Sequence, residues 1–270
     1  MKVRCEATWR PRRWACRRLH AVFTVPFVVG CTELPPHVRQ EVDKAREQYQ
    51  QKDYSAAKTT LDGVLASYSH FKGSAEAYYL RAKILAETSN KSAALKDAER
   101  CIELAYERQL TAKACATAGS LEFEAGSDKL AMAHYAQALS DLPEKPPTDL
   151  IRYRYAVCLQ RQGKWTEARR EFATVVQRYP GGDLAKHAQR MFEWPVDYFA
   201  IQCGAFQDRR AATELTTRLN RSGLSACVEA RSRMGKPLHM VFVGQFTTHA
   251  EAERQLQSVR NHVSSAVIAP

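Results

Sequence analysis

The chain reads as an α-helical repeat array followed by a small α+β sandwich. Three observations point there. Four alanines, Ala57, Ala94, Ala131 and Ala168, stand 37 residues apart. Past residue 193 the spacing of apolar residues changes from helical to alternating, the mark of strands. Residues 198–270 then repeat internally at a spacing of 40, with Gly204, Phe206 and Ala212 answered by Gly244, Phe246 and Ala252. At 270 residues, with 45% hydrophobic and 26% charged residues, the chain has material for two cores. That composition excludes disorder, collagen and a polytopic membrane protein as descriptions of the whole.

Residues 1–31 read as an address. Net charge is +11, but residues 1–30 hold seven Lys/Arg against one Glu. This basic start precedes Ala21–Gly30, a run with no charge. A spanning helix needs about 20 apolar residues. The run is too short and Pro26 interrupts it, so an export signal is the expectation. Val28-Val29-Gly30-Cys31 resembles a bacterial lipobox, in which the small residue admits the peptidase and the Cys31 thiol takes the lipid. A lipid anchor in a membrane follows from that resemblance, and Thr32 after the cysteine points to the outer membrane. A cleaved secretory signal is the alternative. Residues 32–40 are a linker.

Residues 41–192 carry the period of 37 at every structural slot. Twelve residues before the alanines sit Ala45, Ala82, Gly119 and Ala156. Four after them come Leu61, Ala98, Tyr135 and Phe172, and seven after them Val64, Cys101, Ala138 and Val175. Turn positions fall at Lys52, Ser89, Gly126 and Gly163. Each unit is two helices that approach closely at small residues, with larger side chains filling the gap. Asp183–Phe192 reads as a closing helix, which such stacks require. The pattern resembles the tetratricopeptide repeat, whose usual unit is 34 residues. The resemblance implies three extra residues in each loop between units. It also implies a ligand-facing set, here Val42, Tyr79, Ala116 and Tyr153 with Tyr49, Ala86, Phe123 and Gln160. Tyr49, Tyr79, Phe123 and Tyr153 either floor a groove for a protein partner or pack against neighbouring helices. Only Arg46 and Lys83 lie near them, too few cations for a carboxylate clamp.

After a linker at 193–197, residues 198–270 form the second module. Tyr198–Cys203 alternates with period two and reads as a strand. Asp208 caps a helix through Ala212, Leu215 and Leu219 that ends at Ser222-Gly223. Ala226–Ala230 and Leu238–Val243 are further strands. Thr248-His-Ala-Glu251 is a capping box opening a helix to Arg260, and Ser265–Ile268 is a last strand. The order βαββαβ, duplicated, is the ferredoxin-like sandwich, with helices on one sheet face and the other face open.

Ile201-Gln202-Cys203-Gly204-Ala205-Phe206 and Val241-Phe242-Val243-Gly244-Gln245-Phe246 resemble the two halves of the SPOR domain, V-Q-x-G-S-F and V-x-V-G-P-F. The resemblance implies binding to peptidoglycan glycan strands stripped of stem peptides, as at division septa, by a module without catalysis. It places a glycan contact at Gln202. Strand alternation puts Gln202, Ala200, Met240 and Phe242 on the open face, where an outward Phe242 would offer sugar an apolar plate. Arg209 could line its rim. Ala205 stands where the family has Ser, which removes a hydrogen bond of about 0.5–1.5 kcal/mol.

The cysteines form no Cys-x-x-Cys pair, and Cys101, Cys115 and Cys158 fall on apolar helical positions. No cofactor or metal is expected. No His-Glu-x-x-His, Gly-x-Ser-x-Gly or P-loop occurs, so an enzyme is unsupported. The third strand lacks the signature of an RNA-recognition motif, which shares the strand order, so no nucleic acid is expected. The expectation is a cell-envelope lipoprotein joining peptidoglycan to an envelope or division protein. A scaffold of envelope assembly whose sugar module no longer binds is the alternative.

Overall fold

The computed structural model describes residues 33–233 and 236–270; the expected export signal and the expected lipidation site Cys31 lie outside them. Four helical hairpins come first. They are α1 (Pro36–Gln50) with α2 (Tyr54–Tyr68), α3 (Ala75–Glu87) with α4 (Lys91–Leu104), α5 (Arg108–Glu124) with α6 (Asp128–Leu139), and α7 (Thr148–Arg161) with α8 (Trp165–Arg178). A short α9 (Ala185–Phe192) packs on α8 and closes the stack.

The period of 37 has a backbone cause. Lys52, Ser89, Gly126 and Gly163 all have positive φ, at 63°, 64°, 74° and 78°. This left-handed residue reverses the chain between the helices of each hairpin. Asp53 and Asn90, the next residues, accept the backbone N–H of Ala56 and Ala93 and start α2 and α4. Two of the four turns carry the strain of a side chain in the left-handed region; glycine relieves the other two.

The helix crossings follow the size pattern. Ala45, Ala82 and Ala156 are fully buried, as are Ala57, Ala94 and Ala131. At Gly119 even a methyl group would not fit, because a Cβ there would stand 2.9 Å from Tyr135 Cδ1. Tyr135, the largest fully buried side chain, thus takes the space that Gly119 leaves. Polar ties add to this packing. Arg81 of α3 donates from Nε and Nη2 to Asp97 of α4 at 2.6 and 2.8 Å and from Nη1 to Asp62 of α2 at 2.8 Å.

Loop lengths depart from expectation. The junctions between units run over 69–74, 105–107 and 140–147, so the extra residues do not sit in every loop. At the second junction they lengthen α5 to 17 residues. Its run Ala112-Lys-Ala-Cys-Ala-Thr-Ala118 favours helix over loop, since alanine has the best helix propensity.

The second module has strands β1 (Phe199–Phe206), β2 (Ala226–Arg233), β3 (Lys236–Phe246) and β4 (Val267–Ala269), with α10 (Arg209–Arg221) and α11 (His249–Arg260). The antiparallel sheet has the order β2-β3-β1-β4. Asp208 caps α10, and Thr248 with Glu251 closes a complete capping box on α11. Ile201, Cys203, Val241 and Val243 pack under Ala212, Leu215, Leu219 and Val259, so both helices cover one face.

The sandwich is seated on the last helical unit. The Trp165 indole donates to the Thr247 carbonyl at 3.2 Å, and its ring lies 4.8 Å from that of Phe199. Phe199 in turn meets His249 edge-on at 5.5 Å. Arg169 of α8 donates to the Trp194 carbonyl at 3.0 Å and pairs with Asp197 at 2.5 Å, tying down the segment before β1. Array and sandwich therefore make one compact unit.

Candidate functional site

The sheet face turned away from α10 and α11 is built by register. Gln202 of β1 stands opposite Phe242 of β3 and Val267 of β4. Phe242 stands opposite Cys227, and Met240 opposite Glu229 and Ala205. Ala200 stands opposite Ala269. Gln202 and Met240 are half-buried, while Cys227 and Val267 are exposed. Val267 keeps 49% of its surface in solvent. The accessible part of this face is thus an amide beside an exposed valine, with a thiol and a thioether further across the sheet.

Phe242 is not the open plate the alternation suggested. It stands on the expected face but is only 2% exposed. Its ring centroid lies 4.8 Å from the Arg231 guanidinium carbon, which lies equally 4.8 Å from the Trp194 ring. Arg231 is held there by Glu229, to which Nε and Nη2 donate at 3.1 and 2.8 Å. A cation over an aromatic face is attracted by the ring quadrupole. Ala200 is also buried. Arg209 is not brought to this face. It opens α10 in the opposite layer, along a trough to which no sheet residue contributes.

The motif glycines have a packing role. A Cβ on Gly204 would stand 2.6 Å from Phe206 Cε2, and one on Gly244 would stand 2.4 Å from Phe246 Cζ. In each half the phenyl ring folds back over the glycine two residues before it. Phe206 and Phe246 both pack against the sandwich core.

The array offers a separate groove of about 680 Å³, lined by Tyr79, Lys83, Ala116, Ser120, Leu150 and Ile151 among others. Tyr79 is brought to it. Tyr49 is linked to it through Lys83, whose Nζ stands 4.7 Å from the Tyr49 ring and 5.9 Å from that of Tyr79. Burial pulls the Lys83 pKa down, but the hydrogen bond to Tyr49 and the nearby phenols and Glu87 outweigh it, and the net shift is upward. The ammonium is therefore charged. Phe123 lies instead under the guanidinium groups of Arg154 and Arg161, each 5.3 Å away, and Tyr153 packs edge-on against Phe172. The four rings do not share one groove.

No cluster suited to a metal occurs among the described residues. Burial pushes the thiols of Cys101 and Cys158 up to about 12 and those of Cys115 and Cys203 up to about 11, so at neutral pH they remain small buried hydrophobes. Cys203 and Cys227 are both free, and β3 separates their strands.

Trp194 and Arg231, which close over Phe242, differ in how far the sequence marks them. Arg231 continues the alternation Cys227, Glu229, Arg231 along β2, a signal present in the chain. Trp194 lies in an aperiodic segment and carries no such signal.

Comparison with known families agrees with this geometry. A family model described as the SPOR domain matches residues 195–269, and two described as the tetratricopeptide repeat match 42–105 and 151–182. The third hairpin, α5 with α6, lies between the two repeat matches. Among solved structures, YrrB, a tetratricopeptide-repeat protein with an unusual peptide-binding site, is 18% identical. The match covers 67% of this chain and 84% of that one, with a TM-score of 0.50. A tetratricopeptide repeat protein from Parabacteroides merdae is 12% identical over 69% of this chain and 67% of its own, with a TM-score of 0.48. The YrrB likeness shows the repeat fold alone. No curated protein sequence matches the chain.

Proposed function

Because the chain is a tetratricopeptide-repeat array followed by a C-terminal SPOR domain, we propose that it is a cell-envelope binding protein joining peptidoglycan to a protein partner. Both modules are of non-catalytic, binding kinds, and the protein acts by attachment and not by chemistry. The sheet face takes glycan strands stripped of stem peptides, the form exposed at division septa. The array groove around Tyr79 and Lys83 takes an envelope or division protein. Cys31 carries a lipid that holds the chain at the outer membrane, facing the periplasm. Two weak attachments on one molecule raise occupancy through effective concentration, which suits a tether.

One observation carries the glycan reading: Gln202 and Val267 adjoin on a face that neither sandwich helix covers. Sugar rings present apolar C–H faces and polar rims, and an amide beside an exposed valine matches both. The test is co-sedimentation of the purified chain with amidase-stripped sacculi. Gln202→Ala is expected to weaken binding about two- to tenfold, the value of one net hydrogen bond. Phe242→Ala is a poor probe, since emptying a buried ring site costs about 3–5 kcal/mol of stability. Pelleting of Gln202→Ala at wild-type affinity would remove this face as the glycan site.

A further inference from the structure

The two helices of the sandwich cover the same sheet face and descend from corresponding positions of a duplicated half, yet their outer surfaces differ in charge. The α11 helix carries Glu251 and Glu253 against Arg254 and Arg260. Its first turn is also locally engaged, with Glu251 in the capping box and His249 3.3 Å from Glu253. The α10 helix carries Arg209, Arg210, Arg218 and Arg221 against the single Glu214, and among the described residues none of these five makes an ion pair. All five are exposed and line one shallow trough of about 690 Å³ with Thr213 and Thr217.

The helix dipole accounts for Arg218 and Arg221, which lie in the last turn, but not for the other two. Arg209 and Arg210 occupy the first turn, where the helix dipole disfavours cations. The helix packs on β1, β2 and β3 through Ala212, Leu215 and Leu219, so the arginines contribute nothing to the core. From Arg210 to Arg221 the row spans about 16 Å at 1.5 Å per residue, the reach of an extended polymer and not of a single small anion.

We infer that the outer face of α10 is a second, electrostatic contact for anionic wall glycan, separate from the Gln202 face. This rests on the peptidoglycan reading above. A glycan strand stripped of stem peptides exposes the lactyl carboxylate of each muramic residue, so it is a polyanion with regularly spaced carboxylates. Guanidinium groups pair with carboxylates through two parallel N–H bonds. The sheet face reads the sugar, while α10 binds the charge of a neighbouring strand, so one domain bridges two strands.

The test uses the full chain and amidase-stripped sacculi, in native form and after amidation of their carboxylates. Replacing all four arginines by Gln is expected to weaken binding to native sacculi about tenfold, since exposed charge pairs contribute a few-fold each at most. That variant should be indifferent to amidation, whereas wild type and Gln202→Ala should both lose affinity on amidated sacculi. Replacing the four by Lys keeps the charge but not the paired N–H bonds, so it should bind between wild type and the Gln variant and still lose affinity on amidated sacculi, a control that holds even if the Gln variant folds poorly. Wild-type affinity in the Gln variant, or no effect of amidation on wild type, would overturn the α10 contact and leave the Gln202 face standing. Stronger binding of the wild-type chain to phosphatidylglycerol vesicles than to sacculi, lost in the Gln variant, would overturn it in favour of lipid. Failure of the wild type to pellet at all would sink the peptidoglycan reading and this contact with it.

Discussion

The array and the sandwich solve the same crowding problem at different ranges. In the array Gly119 yields its volume to Tyr135, a residue on the next helix. In the sandwich Gly204 and Gly244 yield to Phe206 and Phe246, two residues on along the same strand. The first exchange fixes how two helices cross; the second fixes how one strand carries its own ring. Sequence distance is therefore what separates a packing partner that can be retuned from one bound to its neighbour. The contact between the two regions, through Trp165, follows neither rule.

The largest expected effect tests that contact. Trp165→Ala removes a buried indole, its bond to the Thr247 carbonyl and its packing on Phe199. Destabilisation of about 3–5 kcal/mol is expected, the usual cost of emptying a large aromatic site. Denaturant unfolding followed separately in the array and the sandwich should show their transitions drawing apart. Coincident transitions in this variant would mean that the two regions are coupled elsewhere.

A pair of glycine substitutions sharpens the comparison of ranges. Gly244→Ala is expected to cost about 3 kcal/mol, from overpacking together with a left-handed backbone at φ 72°. Gly119→Ala is expected to cost about 2 kcal/mol, from overpacking alone. Shrinking Tyr135 to Leu should recover most of the loss at Gly119. Shrinking Phe246 to Leu should recover only part of the loss at Gly244, because no neighbour relieves its φ. Equal rescue at both sites, read from unfolding midpoints, would erase the distinction.

The smallest effect is pH-dependent. His249 lies at the seam, packed on Phe199 and close to Glu253, with Arg161 of α7 and Asp128 of α6 also acting on it. Burial, aided by the Arg161 charge, pulls its pKa below the ordinary 6.5, more than Glu253 and Asp128 raise it. In the window between that lowered value and 6.5 the unfolded chain binds more protons than the folded one, so stability rises with pH. The contribution is complete above 6.5 and is lost as pH falls through the folded value. Thermal midpoints measured between about pH 8 and about pH 5 should fall more steeply for wild type than for His249→Gln. Parallel profiles would place the imidazole outside the linkage.

Much of this architecture is readable from the residues because it is periodic. The turns at Lys52, Ser89, Gly126 and Gly163, the small residues at each crossing and the capping box at Thr248 are local decisions of backbone and side-chain size. The turns and the small residues recur at fixed intervals, so a single sequence displays them. Register on the sheet also follows from alternation, which places Gln202, Met240 and Phe242 on one face.

Exposure does not follow from alternation, because it depends on what arrives from elsewhere in the chain. Phe242 faces the expected way and is nonetheless closed, since Arg231 swings over it and meets Trp194 from the segment before β1. Tyr153 and Phe123 sit at groove-facing registers, yet one is claimed by Phe172 and the other by two guanidinium groups. The pattern of residues set the two folds and the facing of each side chain, because those are settled within a few residues. Which of those side chains meets solvent was left to tertiary contacts within the array, within the sandwich and between them, which bury surface no local rule can count.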